Sequence, residues 1–147
     1  MDINVPVLQA VIKKLGGPSV LGSEVTSQAD LANAVRRRLP LEALRALTAS
    51  GMSDLEIYHF VIPQRTKSHR QKRHEPLTVE ESDKTVRFLR IQTMAEQVFG
   101  STEKANRWLR KSLSALKGET PLEMAQTETS SRVVETILGK IAWGAAA

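Results

Sequence analysis

Residues 64–74, QRTKSHRQKRH, hold Arg65, Lys67, Arg70, Lys72 and Arg73 and not one carboxylate. Setting those five cations aside leaves 16 Lys and Arg against 16 Asp and Glu, so the formal net charge of +5 is carried by this one segment. Guanidinium and ammonium groups at such density neutralise phosphates and gain affinity by releasing counterions. Arg and Gln add bidentate patterns that read guanine and adenine edges in the major groove. Aromatic residues make up 4% of the chain and none interrupts the run. The stacking platforms of single-strand and RNA binders are therefore not expected, and duplex DNA is the better partner. A solvated basic linker has the same composition. The elements around the run must separate the two readings.

Other chemistry is sparse. His59, His69 and His74 are the only histidines and none stands at a metal-ligand spacing. The absence of cysteine excludes disulfides, thiolate zinc sites and a thiol nucleophile. Glu80 and Glu81 sit at an expected helix start, where the helix dipole accounts for them, and Gly16-Gly17-Pro18 is no phosphate loop. We expect no catalysis, no metal and no cofactor.

A chain of 147 residues with 41% hydrophobic and 25% charged residues has room for one ordinary domain or two small ones. The first residues carry neither a membrane-length apolar run nor the basic start of a signal peptide, so a cytoplasmic protein with no membrane association is expected. Helical spacing dominates and period-two alternation is almost absent, which predicts an all-α fold. Val7, Leu8, Val11, Ile12 and Leu15 mark one face of a first helix ended by Gly16-Gly17, and residues 16–28 read as a loop. A short helix over residues 30–38 precedes Pro40, which suits the first turn of a helix carrying Leu41, Leu44 and Leu47. Ser53 and Glu56 form a capping box for a helix burying Leu55, Ile57 or Tyr58, and Val61. Ile62-Pro63 turns the chain into the basic run.

Thr78 and Glu81 open a long helix with the stripe Phe88, Ile91, Ala95, Val98 and Phe99. Ser101 caps a helix with Ala105, Trp108 and Leu109 inside, Trp108 being expected as a core anchor whose truncation costs ~3–5 kcal/mol. Thr120-Pro121-Leu122-Glu123 combines cap, first-turn proline and reciprocal glutamate. Val133, Val134, Ile137, Leu138 and Ile141 mark a terminal helix ending near Trp143-Gly144. The expected domains are residues 1–28, a helix and loop of open role; residues 29–76, around the basic run; and residues 77–147, a second helical module.

A capped helix, a tight turn and a polar basic helix form the layout of a helix-turn-helix, whose second helix enters the major groove. Gln64, Arg65, Ser68 and His69 fall in its first turns, where base edges are met, and Thr66 is expected at the DNA with them. Lys67, Arg70, Lys72 and Arg73 are expected on phosphates, although Lys67 can also face inward with its methylene stem buried.

The order Glu81-Ser82-Asp83, Phe99-Gly100, Ala105 with Arg107-Trp108-Leu109, Gly118-Glu119-Thr120-Pro121-Leu122, Leu138-Gly139 and Trp143-Gly144 resembles the toxin-binding domain of the Xre/MbcA/ParS family of type II antitoxins. The resemblance extends back through Gly51-Met52-Ser53 and Pro63-Gln64-Arg65-Thr66, covering about residues 40–144. One departure is Lys67, where such sequences often carry leucine after the Arg-Thr pair. The resemblance implies neutralisation of a RES-domain, NAD-degrading toxin whose active-site entrance is covered by the antitoxin's carboxy-terminal end. On that reading Ile137, Leu138, Lys140, Ile141, Trp143 and Gly144 are toxin contacts, with Ala145, Ala146 and Ala147 threading inward. It also implies repression of the protein's own operon by a homodimer on double-stranded operator DNA. A helix-turn-helix repressor with a dimerisation module and no toxin is the alternative.

Overall fold

The computed structural model describes residues 4–146. Every regular element among them is helical. None of these helices is long and apolar enough to cross a membrane. The residues divide into two compact units, one spanning residues 8–86 and the other running from Arg87 onward together with the start of the first helix as far as Val7.

Helix α1 (Asn4–Leu15) buries Val7, Val11 and Leu15, four residues apart, with Leu8 and Ile12 half-buried beside them. Gly16 follows at φ 107, where an added Cβ would lie 2.4 Å from Val20 Cγ2, so only glycine fits. The expected loop over residues 16–28 is interrupted: Pro18 occupies the first turn of α2 (Pro18–Leu21), which buries Leu21. Proline after the glycine pair restarts a helix because its missing N–H would be unbonded there in any case. Helix α3 (Gln28–Arg36) begins earlier than expected because Ser27 is the cap, its Oγ accepting from the Asp30 N–H at 3.1 Å. Pro40 is extended, ψ 156, and stands before the 3-10 turn Leu41–Ala43 rather than inside a helix; α4 (Leu44–Ala49) follows.

Helix α5 (Asp54–Phe60) starts with the expected capping box, Ser53 N–H to Glu56 Oε1 at 2.9 Å and Glu56 N–H to Ser53 Oγ at 3.2 Å. Ile57 and Val61 are buried, but Leu55 is 79% exposed. The expectation that Leu55 is buried fails because it stands two positions before Ile57, about 200° around the helix, which turns it to the opposite face. Helix α6 (Gln64–Arg73) buries no residue at all. It lies against the 3-10 turn at residues 41–43.

Helix α7 (Val79–Phe99) begins in the first unit with a reciprocal capping box, Thr78 N–H to Glu81 Oε1 at 2.8 Å and Glu81 N–H to Thr78 Oγ1 at 3.1 Å. In the second unit Phe88, Leu89, Ile91, Met94 and Ala95 of α7 form the centre of the core. Val98 and Phe99 are only half-buried. Helix α8 (Thr102–Leu109), capped by Ser101, buries Ala105 and Leu109. Trp108 is half-buried rather than the expected core anchor, its ring 5.4 Å from that of Phe99.

A 3-10 turn at Ser114–Leu116 leads to α9 (Pro121–Met124). Its cap is one-sided: Thr120 Oγ1 accepts from the Glu123 N–H at 3.2 Å and donates to Glu123 Oε1 at 3.0 Å, so that carboxylate accepts from the hydroxyl instead of from the cap's amide. Helix α10 (Glu128–Ala146) packs on α9 and continues past Trp143-Gly144. It is tied to α7 by Arg90, whose Nε lies 2.8 Å from Glu135 Oε1, while Arg87 Nη1 donates to the Gln126 carbonyl at 2.8 Å.

Candidate nucleic-acid interface and partner face

The basic run forms α6 because nothing in residues 64–73 opposes a helix and Pro63, at φ −59, sets its entry. It ends at His74, which takes the left-handed conformation, φ 55, with its N–H returned to the Gln71 carbonyl. Thr66, Lys67 and Arg70 are half-buried and so define the inner face. At 3.6 residues per turn, the opposite face is centred on Arg65, Ser68 and Lys72, with Gln64 and Gln71 along one flank and His69 and Arg73 along the other. All seven are exposed. The outer face is thus a band of donors free of carboxylates, suited to a phosphate backbone and to base edges.

The inner residues are engaged. Lys67 lies half-buried with its ammonium 5.7 Å from the centre of the Tyr58 ring, a cation–π contact to α5. The possibility that Lys67 faces inward is therefore the one realised. Arg70, expected on a phosphate, instead donates Nη1 to Glu81 Oε1, with both side chains mostly withdrawn from water. That ion pair removes Arg70 from the set of free cations. Arg65, Thr66, His69, Arg70, Arg73 and Glu75 line an open polar hollow of about 330 Å³ along this helix.

Of the nine residues expected at DNA, Gln64, Arg65, Ser68, His69, Lys72 and Arg73 come together on the accessible surface of one helix, whereas Thr66, Lys67 and Arg70 turn toward the unit. Sequence reasoning passed over Gln71, exposed on the same surface, because it lies beyond the first turns, where base edges were sought, and is not a cation for phosphates. The helical period of the run was the signal that would have included it.

The expected partner residues lie on α10. Leu138 is fully buried and belongs to the core, so it is not a surface contact. Ile137 and Ile141 are half-buried, and Lys140 and Gly144 are exposed. Trp143 presents 66% of its surface to solvent. Only the backbone of Ala145 and Ala146 is described, and Ala147 lies outside the described residues. Val133, 42% exposed, was expected only as part of the helix's apolar set, yet it begins an outward stripe with Ile137, Lys140 and Gly144 at i, i+4, i+7 and i+11. Among the described residues no group of three His, Cys, Asp or Glu could hold a metal ion.

Residues 30–90 match the family described as the antitoxin Xre-like helix-turn-helix domain, and residues 94–144 match the antitoxin Xre/MbcA/ParS C-terminal toxin-binding domain. Over 84 residues the chain is 45% identical to a Pseudomonas putida protein named Antitoxin Xre, covering 57% of this chain and 53% of that protein. A Yersinia enterocolitica protein of the same name is 30% identical over 84 residues, 56% of this chain and 57% of its own length. One from Photorhabdus laumondii is 31% identical over 81 residues, 54% and 55% respectively. The chain spans about half the length of the curated relatives it matches.

Proposed function

The chain belongs to the Xre/MbcA/ParS antitoxins, not to an enzyme family, and from that premise we propose that it neutralises a RES-domain, NAD-degrading toxin and represses its own operon by binding duplex DNA. The observation that carries the DNA half is the outer face of α6, where Arg65, Ser68 and Lys72 are exposed on a helix that contains no carboxylate, within a matched helix-turn-helix. Arg65 with Gln64, Ser68 or Gln71 reads bases; Lys72 and Arg73 hold phosphates. A palindromic operator calls for two recognition helices, hence a homodimer acting in the cytoplasm.

For the toxin half, the support is the matched toxin-binding domain together with the outward stripe of α10 and its neighbour Trp143. Large aromatics that are exposed in the free protein are favoured anchors of protein interfaces. On this reading Val133, Ile137, Lys140, Ile141, Trp143 and Gly144 meet the toxin, and the end of α10 covers its active-site entrance. The test is co-expression with the product of the neighbouring gene, reading growth and cellular NAD, with the full chain and with residues 143–147 removed. Rescue by the full chain alone supports toxin inhibition through this end of α10. Equal rescue by both moves the inhibitory surface elsewhere, and a harmless neighbour returns the protein to a repressor without a toxin.

A further inference from the structure

Helix α6 buries no side chain, so apolar packing gives it little hold, and its orientation must come from polar anchors. One of these, Glu81, is outside the basic run. Glu81 Oε1 accepts from the Arg70 guanidinium and, at 2.8 Å, from the Thr78 N–H. The side chains of Arg70 and Glu81 are only 15% and 13% exposed. A charge-assisted bond so shielded from water is strong, and removing one partner leaves the other charge poorly solvated.

The carboxylate's place is set independently of Arg70, since it closes the capping box of α7. The chain between the two helices is pinned as well. The Glu75 N–H bonds to the Arg70 carbonyl and the Leu77 N–H to the Leu39 carbonyl, both at 2.9 Å. Arg38 donates Nε to the Leu77 carbonyl at 2.8 Å and Nη2 to the Pro76 carbonyl at 3.3 Å. The Leu39 N–H in turn meets the buried Ser82 hydroxyl at 2.9 Å. Glu81 therefore stands on a fixed base, and Arg70 reaches across to it from α6.

We infer that Glu81 is a positioning residue for DNA reading: through Arg70 it sets how α6 presents Arg65, Ser68 and Lys72, and it touches no DNA itself. The inference rests on the DNA-reading role proposed above. It has a consequence of definite sign. Removing the Glu81 charge loosens the reading face and also releases the Arg70 cation, so preference for the right sequence falls while phosphate-driven binding to any sequence grows. Loss of a simple phosphate contact such as Lys72 acts in the opposite direction on the salt dependence.

Glu81→Gln is the decisive variant, because its amide oxygen can still accept from the Thr78 N–H and preserve the cap. Wild type, E81Q, R70Q and the double variant, each as the full chain, are titrated against a duplex enriched by the wild type from a randomised pool and against a random-sequence duplex, over a series of salt concentrations. E81Q is expected to lose about tenfold in preference, the scale of one charge-assisted hydrogen bond, and to show a steeper salt slope. R70Q loses a similar preference without the steeper slope, and the double variant is no worse than either single change. Unchanged preference in E81Q, or losses that multiply in the double variant, overturn the inference. A wild type that enriches no duplex overturns the DNA role instead, and amide exchange then decides on the pair: faster exchange in residues 64–73 of E81Q with residues 128–144 unchanged supports it, and equal protection of α6 refutes it.

Discussion

The ammonium of Lys67 lies 5.7 Å from the centre of the Tyr58 ring, so a cation of the second helix of the helix-turn-helix is held by the first. A charge engaged in this way contributes less to phosphate binding than one on the outer face. Lys67→Met should therefore flatten the salt dependence of duplex binding by well under one unit, where Lys72→Met flattens it by about one. Tyr58→Leu keeps most of the apolar contact and should cost only about 0.5–1 kcal/mol of stability in urea titration. Equal salt slopes for the two lysine variants would place Lys67 at the DNA.

Arg65 and Lys72 share the outer face, and the proposed DNA reading gives them different ends. Arg65→Ala should cost roughly 1–3 kcal/mol on a preferred duplex and relax preference at one base position, whereas Lys72→Ala weakens all sequences alike. Parallel titrations of preferred and random duplexes check both. Unaltered binding by both variants would remove α6 from the interface.

His74 closes α6 in the left-handed conformation, φ 55, which costs a residue bearing a Cβ and suits glycine. Its side chain is exposed and belongs to neither the inner nor the outer face of α6. His74→Gly should stabilise the fold by about 0.5–1 kcal/mol in chemical denaturation and leave duplex preference intact. A destabilised variant would mean that the imidazole contributes more than the backbone costs.

Hydrogen bonds from the Thr26 N–H, first, and then from the hydroxyls of Thr26 and Ser27 hold the Asp30 carboxyl below its ordinary value. A depressed folded value means stability that is present above the unfolded value, near 3.8, and lost as pH falls through the folded one. Asp30→Asn should thus be less stable than wild type at neutral pH, with the gap closing in acid. Urea midpoints measured from pH 7 down to pH 2.5 test this, and a gap independent of pH would contradict it.

Leu138 and Trp143 lie on one helix, the first fully buried and the second proposed to meet the toxin. Leu138→Ala removes a fully buried side chain and should cost about 2–5 kcal/mol. Trp143→Ala, at a site 66% exposed, should barely change the denaturation midpoint yet weaken toxin binding by at least about tenfold. Calorimetric titration with the toxin beside urea curves compares the two. An unchanged affinity would take Trp143 out of the interface.

Much of the helical architecture was legible because its signals are local. The boxes at Ser53-Glu56 and Thr78-Glu81, the glycine breaks and the basic run each involve residues within a turn or two, and local hydrogen bonding and periodicity decide them. The family, too, was readable from the order of its motifs. Where local signals ran out, so did the reading: Pro18 after two glycines was consistent with a loop or a new helix, and only burial of Leu21 made it the latter.

By itself, then, the sequence determined that the chain is helical, that one helix would carry the whole excess of positive charge, and that the chain's motifs are those of an antitoxin. Which face of each helix looks outward was decided by tertiary structure. Leu55 and Leu138 are both apolar residues within helical patterns, yet one is 79% exposed and the other fully buried, because the choice depends on what packs against each helix. Arg70 and Lys72 are likewise alike in sequence, two cations in one run. Only the return of α7, which brings Glu81 eleven residues onward beside Arg70, pairs one with a carboxylate and leaves the other exposed.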